Sequence, residues 1–341
     1  MSTKVRLRYC GINFSEIKEK CELAVNDFHE TTISAGHKER IVSTAFCELT
    51  TNGNKLEIKT LLAPEKNKTL DFDNAISKMC SNNETCWVLL DGGSLFSYDF
   101  ITSSLTKVLV EEAVTQISCS ATSLFCVTTN NQLIKISETQ NETIHSFPKH
   151  QKVKKTVSGA EHCLVMTSNG DVFSFGCGLR GTLGHGDVNP SDIPKQIEGL
   201  AGLKIVDVAA GLFHSIAVSS FGDVYTWGWN NRGQLGLPKI AKHTFKQVSE
   251  SHQQVFTTPQ LIELEDEESV TSVHCGSKHS VLRSEGNRVF SAGLNNYGQL
   301  GLATDVDDFD KFTEIPVKID DTTEIICGFW STYLIDAIKC L

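Results

Sequence analysis

No Cys-x-x-Cys pair, Gly-x-Ser-x-Gly elbow, His-Glu-x-x-His pair or Walker loop occurs in these 341 residues. The first absence removes the usual zinc spacing, and the others remove the serine-nucleophile, zinc-protease and phosphate-loop signatures. Positive charge is also scarce. Lys and Arg number 31 against 41 Asp and Glu, a net charge of −10. A duplex-binding surface needs clustered cations, so a basic or neutral partner suits this chain better. No apolar run approaches the roughly 18 residues of a membrane span. The start, Met1-Ser-Thr-Lys-Val-Arg-Leu-Arg8, has no apolar h-region, so a soluble, intracellular chain is expected. The twelve cysteines form no disulfide framework. Cys47, Cys86, Cys126 and Cys163 sit in strand-like runs and read as small buried hydrophobes in a reducing compartment. The sequons at Asn67, Asn83 and Asn141 then carry no weight.

What is present is repetition. The stretch from Val208 to Gly236 places a small-residue run with Gly211 before apolar Ile216-Ala217-Val218. A Phe221-Gly222-Asp223 turn and a second run, Val224-Tyr225-Thr226-Trp227, follow. Two β-branched and aromatic runs around a Gly-Asp turn signal a β-hairpin. The same order recurs from Val157 and again from His274. Gly159, Gly211 and Gly276 open the three copies; Gly176, Gly228 and Gly293 follow at one common interval, then Gly181, Gly233 and Gly298. Chance would not hold such register, so repetition governs the fold.

Weaker copies precede these, with turns at Asn52-Gly53, Asp91-Gly92 and Asn130-Asn131. His162, His214 and His279 share one position, matched by Thr44, Thr85 and Ser123 earlier and by Ser331 near the end. The last stretch, Cys327-Gly328-Phe-Trp-Ser-Thr-Tyr333 onward, supplies a first strand and stops; Val5–Phe14 resembles the missing second half. Six hairpins plus one assembled from both ends predict an all-β, seven-bladed β-propeller closed by the two chain termini. Closure of this kind removes exposed sheet edges. The expectation is a single domain over 1–341, with degenerate blades at about 41–150, well-formed repeats at about 153–302, and a closing blade from 3–14 plus 323–338. In 15–40, Ile17, Cys21, Leu23, Val25 and Phe28 fit a strand or a short helix equally well.

The strings Gly222-Asp-Val-Tyr-Thr-Trp-Gly-Trp-Asn-Asn-Arg-Gly-Gln-Leu-Gly236 and Ala292-Gly-Leu-Asn-Asn-Tyr-Gly-Gln-Leu-Gly301 resemble the regulator of chromosome condensation repeats, a family of seven-bladed propellers. More narrowly, the chain resembles a small single-propeller member that pairs with a Jumonji-C oxygenase. The resemblance rests on the degenerate early blades, the interruption after Leu237 and the Cys327-Gly-Phe-Trp-Ser-Thr-Tyr333 ending.

Gly176-Cys-Gly-Leu-Arg-Gly181 fits a dinucleotide fingerprint, but Thr182-Leu-Gly-His-Gly-Asp187 cannot propagate the helix that would receive a pyrophosphate. The glycines are expected to serve tight loops. One histidine per blade, at His162, His214 and His279, reads as packing, each ring bonded to neighbouring backbone. Gly159, Gly176, Gly211, Gly228, Gly276, Gly293 and Gly328 are the matching structural positions. No cofactor, metal or catalytic constellation is expected, and the chain reads as a non-enzyme.

Function is then sought in departures from the repeat, since loops on a rigid scaffold carry it. The longest runs from Pro238 to Leu264 and contains Lys239, Lys242, Phe245, Lys246 and Phe256. Loops of that length are commonly functional or disordered. Lys149, Lys152, Lys154 and Lys155 form a basic run in 146–155 that reads as a solvated linker or a second contact. Acidic runs at 263–268 and 305–310 could meet a basic tail such as a histone, or be a solvated face. The family resemblance implies a monomeric interaction scaffold, nuclear with a cytoplasmic pool, for a Jumonji-C oxygenase that brings iron and 2-oxoglutarate. It further implies a role in histone methylation and mitotic chromosome segregation. Two rivals remain. One is guanine-nucleotide exchange on a Ran-like GTPase, although this chain offers only Lys4, Arg6 and Arg8 where the family's founder has a basic tail. The other is an adaptor for a ubiquitin ligase.

Overall fold

The computed structural model describes residues 3–11, 29–35, 40–43, 47–60, 67–137, 141–238, 255–264, 268–302 and 306–338. Within them the hairpins of the sequence are the middle of larger units. Val208–Trp229 contributes His214–Ser219 and Val224–Trp229, joined by a turn at Gly222 with φ +88°. A strand precedes this hairpin at Ile205–Ala210 and another follows at Val255–Ile262. All four pair antiparallel in chain order.

Seven such four-stranded sheets are present among the described residues. Six run in order along the chain, beginning at Arg40, Ile76, Val114, Val153, Ile205 and Val270. The seventh takes Glu324–Cys327 and Ser331–Ile338 from one end and Thr3–Gly11 and His29–Ala35 from the other. Thr3–Gly11 pairs along Ser331–Ile338, with Leu7 opposite Ile335. The innermost strand of each sheet packs against that of the next, and Glu324–Cys327 of the seventh packs against Arg40–Ser43 of the first. The arrangement fits seven propeller blades.

The second strands of the central sheets are largely buried because both their faces are covered. His162–Thr167 is buried at every residue. Cys163 and Val165 pack toward the third sheet, while Leu164 and Met166 pack toward the fifth. The core is thus divided into wedges between sheets; one holds Leu164, Met166, Ile205, Val208, Ala217 and Trp227. Hydrogen bonds stitch the same seams. The carbonyls of Gly53, Gly93, Gly170 and Gly222 accept the N–H of Ile76, Val114, Ile205 and Val270 in the following sheet. Asn131 does this with its side-chain Oδ1, which accepts the Val153 N–H at 2.8 Å.

Two expectations are corrected. The 238–264 insertion is not one loop: Val255–Ile262 is the fifth sheet's outer strand, Gly228 facing Phe256. Its solvent-facing residues lack the apolar alternation that marks a strand. The 146–155 run is not a linker throughout, because Val153–Ser158 forms the fourth sheet's innermost strand. In 15–40, where the sequence leaves strand and short helix open, His29–Ala35 is a strand; Ile17, Cys21, Leu23, Val25 and Phe28, with the rest of 12–28 and 36–39, lie outside the described residues.

Candidate partner-binding face

The repeat glycines and histidines meet where the first strand of each sheet turns into the second. A Cβ added to Gly211 would lie 2.0 Å from Cε1 of His214 and 2.7 Å from the Gly276 carbonyl oxygen. Gly159 meets His162 and the Gly211 oxygen in the same way, and Gly276 meets His279 and the Gly328 oxygen. The ring fills the space a side chain would need, which couples the glycine to the histidine three positions on. Gly176, Gly228 and Gly293 close the third strands with φ of +111°, +103° and +116°. A Cβ there would strike the carbonyls of Glu161, Phe213 and Lys278.

The histidines bond hydroxyls on the next sheet, not the neighbouring backbone. His162 Nε2 lies 2.9 Å from Ser215 Oγ, His214 Nε2 2.9 Å from Ser280 Oγ, and His279 Nε2 3.2 Å from Thr332 Oγ1. Each hydroxyl donates onward to a loop carbonyl, of Thr182, Gln234 and Gln299 respectively. The hydroxyl must therefore accept from Nε2–H, which fixes the neutral tautomer. Burial pushes the rings down to about 4, about 3 and about 4. They are structural ties between sheets.

Beside them the backbone forms a partial circle. The N–H groups of Ala121, Ala160, Leu212 and Ser277 donate to the carbonyls of Ala160, Leu212, Ser277 and Phe329, each on the next sheet. Asn82 extends the circle with Nδ2 donating to Ala121. This rim surrounds a central cavity of about 390 Å³ lined by Asn82, Ala121, Gly159, Gly211, Gly276 and Phe329.

Internal repetition also separates what the fold needs from what it leaves free. The position before the shared histidine reads Glu84, Thr122, Glu161, Phe213, Lys278 and Trp330 around the rim. The position before the next repeat glycine reads Arg180, Arg232 and Tyr297. These changing residues meet. The Arg180 guanidinium lies 4.0 Å from the Phe213 ring and 4.8 Å from the Trp229 ring. Lys278 Nζ lies 5.7 Å from the Trp229 ring. Tyr297 and Phe329 pack edge-on against Trp330 at 5.3 and 4.6 Å. Arg232 reaches Asp308 at 3.7 Å. Burial, then Arg232 and Arg180, push the Lys278 ammonium below its usual value. The result is a cationic and aromatic arc across the fourth to seventh sheets of an acidic protein.

The residues singled out from sequence lie elsewhere. Lys239, Lys242, Phe245 and Lys246 fall outside the described residues. Phe256 is in the outer strand opposite Gly228. Lys149, Lys152 and Lys154 are exposed, whereas Lys155 is tied to Asp207 at 2.6 Å. Asp207 in turn accepts the Val273 N–H, so Lys155 helps bind three innermost strands. Within Gly176–Gly181 a strand ends at Gly176 and Leu179–Gly181 forms a single 3-10 turn with Arg180 at φ +69°, not a phosphate-binding helix start. Sequence reasoning missed the arc because it sought departures in repeat length. The available signal was chemical change at fixed repeat offsets.

Models of the regulator of chromosome condensation (RCC1) repeat match residues 169–218 and 222–282, and again 153–182, 205–234 and 270–299. The region 153–299 is similar to RCC1 repeats. Human RCC1 domain-containing protein 1 is 32% identical over 204 residues, 52% of this chain and 54% of that one. Human E3 ubiquitin-protein ligase HERC2 is 37% identical over 188 residues, 52% of this chain but 4% of the ligase. The match thus spans about half the length of the first relative and a small part of the second. Among solved structures, yeast RCC1 (Prp20) bound to Kap60 superposes with a TM-score of 0.76 at 16% identity, covering 99% of this chain and 90% of that one. Human WBSCR16 gives 0.76 at 13%, covering 98% and 100%. This RCC1-like propeller contains no described helix long and apolar enough to cross a membrane.

Proposed function

We propose that the chain is a non-catalytic interaction scaffold whose rim arc docks a protein partner. One observation carries this. At repeat positions where the fold accepts Glu84, Thr122 or Glu161, the fifth to seventh sheets carry Phe213, Lys278 and Trp330. Aromatic and arginine anchors are the residue types that dominate protein interfaces. The resemblance drawn from the repeats supplies the first partner to test, a Jumonji-C oxygenase that brings its own iron and 2-oxoglutarate. With it come a nuclear location and a role in histone methylation and chromosome segregation. The proposal extends to ring closure by both chain ends, supported by the pairing of Thr3–Gly11 with Ser331–Ile338.

Prp20p from Saccharomyces cerevisiae, whose propeller this chain resembles, binds Gsp1p and histones, and exchange on a small GTPase is therefore the second outcome to test. Affinity capture from nuclear extract compares wild type, Phe213→Ser with Trp330→Ser, and a variant whose 239–254 segment is a short Gly-Ser linker. A Jumonji-C protein captured by wild type and lost with the double substitution supports the proposal. A GTPase released by added GTP would support exchange instead. Loss only in the linker variant would move the contact to 239–254.

A further inference from the structure

Resting on the scaffold reading, a more specific inference concerns what the arc receives. We propose that it binds an acidic, extended segment of the partner, with carboxylates at Arg180 and Lys278 and an apolar side chain against Trp330. The cations come first. Neither Arg180 nor Lys278 has a carboxylate within ion-pair distance among the described residues, nor does either side chain make a hydrogen bond to a described residue. Both are half-buried in a chain whose net charge is −10. Each has lost part of its hydration with no counter-charge in return, so an incoming anion restores what burial removed.

Geometry then selects the anion. The Arg180 guanidinium is held against the Phe213 and Trp229 rings. Its N–H donors, unused by the described residues, remain for a carboxylate fork. Lys278 approaches the same Trp229 from the sixth sheet and offers a second positive point. Beyond it, Tyr297 and Trp330 form an aromatic corner, where an aliphatic or aromatic side chain is covered. Alternating acidic and apolar residues in an extended segment match this order. Glu84 and Glu161 occupy the equivalent positions on the second and fourth sheets. Glu84 repels an acidic segment from the rim outside the arc, and Glu161 bounds the arc at its fourth-sheet end.

The test is fluorescence anisotropy with three labelled probes: a short peptide alternating Glu and Leu, its Lys-for-Glu counterpart, and single-stranded oligo(dT). The Glu–Leu peptide is expected to bind, more weakly as salt rises. Arg180→Glu with Lys278→Glu should weaken it by about tenfold or more, a change of about 1.4 kcal/mol. Arg180→Lys with Lys278→Arg should retain binding, and matched melting curves establish that both variants fold. Lys149→Glu with Lys152→Glu applies the same charge change at exposed lysines and should leave binding unaltered. Equal loss in that control, no loss in the arc variant, equal binding of the Lys peptide, or tighter binding of oligo(dT) would each overturn the inference. Capture of the partner by wild type with no effect of the arc charge reversals would leave the scaffold standing and remove only the acidic-segment docking.

Discussion

Gly211 shows how closely the repeat is held. Its missing side chain makes room for the His214 ring and the Gly276 carbonyl at once. Gly211→Ala should therefore force one of them to move and lower stability by about 1–3 kcal/mol, the usual cost of overpacking; a denaturant midpoint equal to wild type would refute the close approach. The histidines set a pH dependence. Their folded values, about 3 to 4, lie below the ordinary value near 6.5, so the folded state holds them neutral. As pH falls below 6.5 the unfolded chain takes up protons that the folded chain refuses, and stability drops until the folded rings also titrate. Melting temperature is expected to be flat above pH 6.5 and to fall between 6.5 and 4, less steeply in His214→Asn. Equal slopes for the variant would show that other groups set the dependence.

At the scale of the strand, the sequence displayed what was buried and concealed what was exposed. The middle hairpins are legible because both faces of strands such as His214–Ser219 are covered, which keeps Ile216-Ala217-Val218 apolar in succession. Outer strands such as Glu142–Ser146, mostly exposed, carry no such signal. Val255–Ile262 likewise shows no strand signal in the sequence, and Lys154 and Lys155 mask Val153–Ser158. The partners of the histidines were not legible, since Ser215, Ser280 and Thr332 lie 53, 66 and 53 residues away in sequence. Replacing 239–254 with a short Gly-Ser linker should change stability by less than about 1 kcal/mol, because loop length costs little entropy. Extending the deletion through Ile262 should expose the edge of Val224–Trp229 and cause aggregation. If the shorter replacement also aggregated, the outer strand would depend on that segment for its register.

Over the whole molecule, stability depends on wedges shared by successive sheets, and no sheet buries its faces alone. Val281, Val289 and Leu300 of the sixth sheet pack with Ile325 and Leu334 of the seventh. Removing residues 332–341 takes away most of the strand that joins the two chain ends and should abolish cooperative melting; a truncated chain with an unchanged transition would refute closure by the termini. The rigid frame leaves chemistry to positions that vary from sheet to sheet, and the arc of Arg180, Phe213, Trp229, Lys278 and Trp330 gathers that variation on one rim. Hydrogen exchange of the propeller with and without its captured protein partner tests this most directly. The account predicts new protection at the Gly178–Gly181 turn, Leu212–Phe213, Ser277–Lys278 and Phe329–Trp330, with none at Lys149–Lys154. Protection confined to the 146–155 run or to the outer strands, with the rim unchanged, would contradict it.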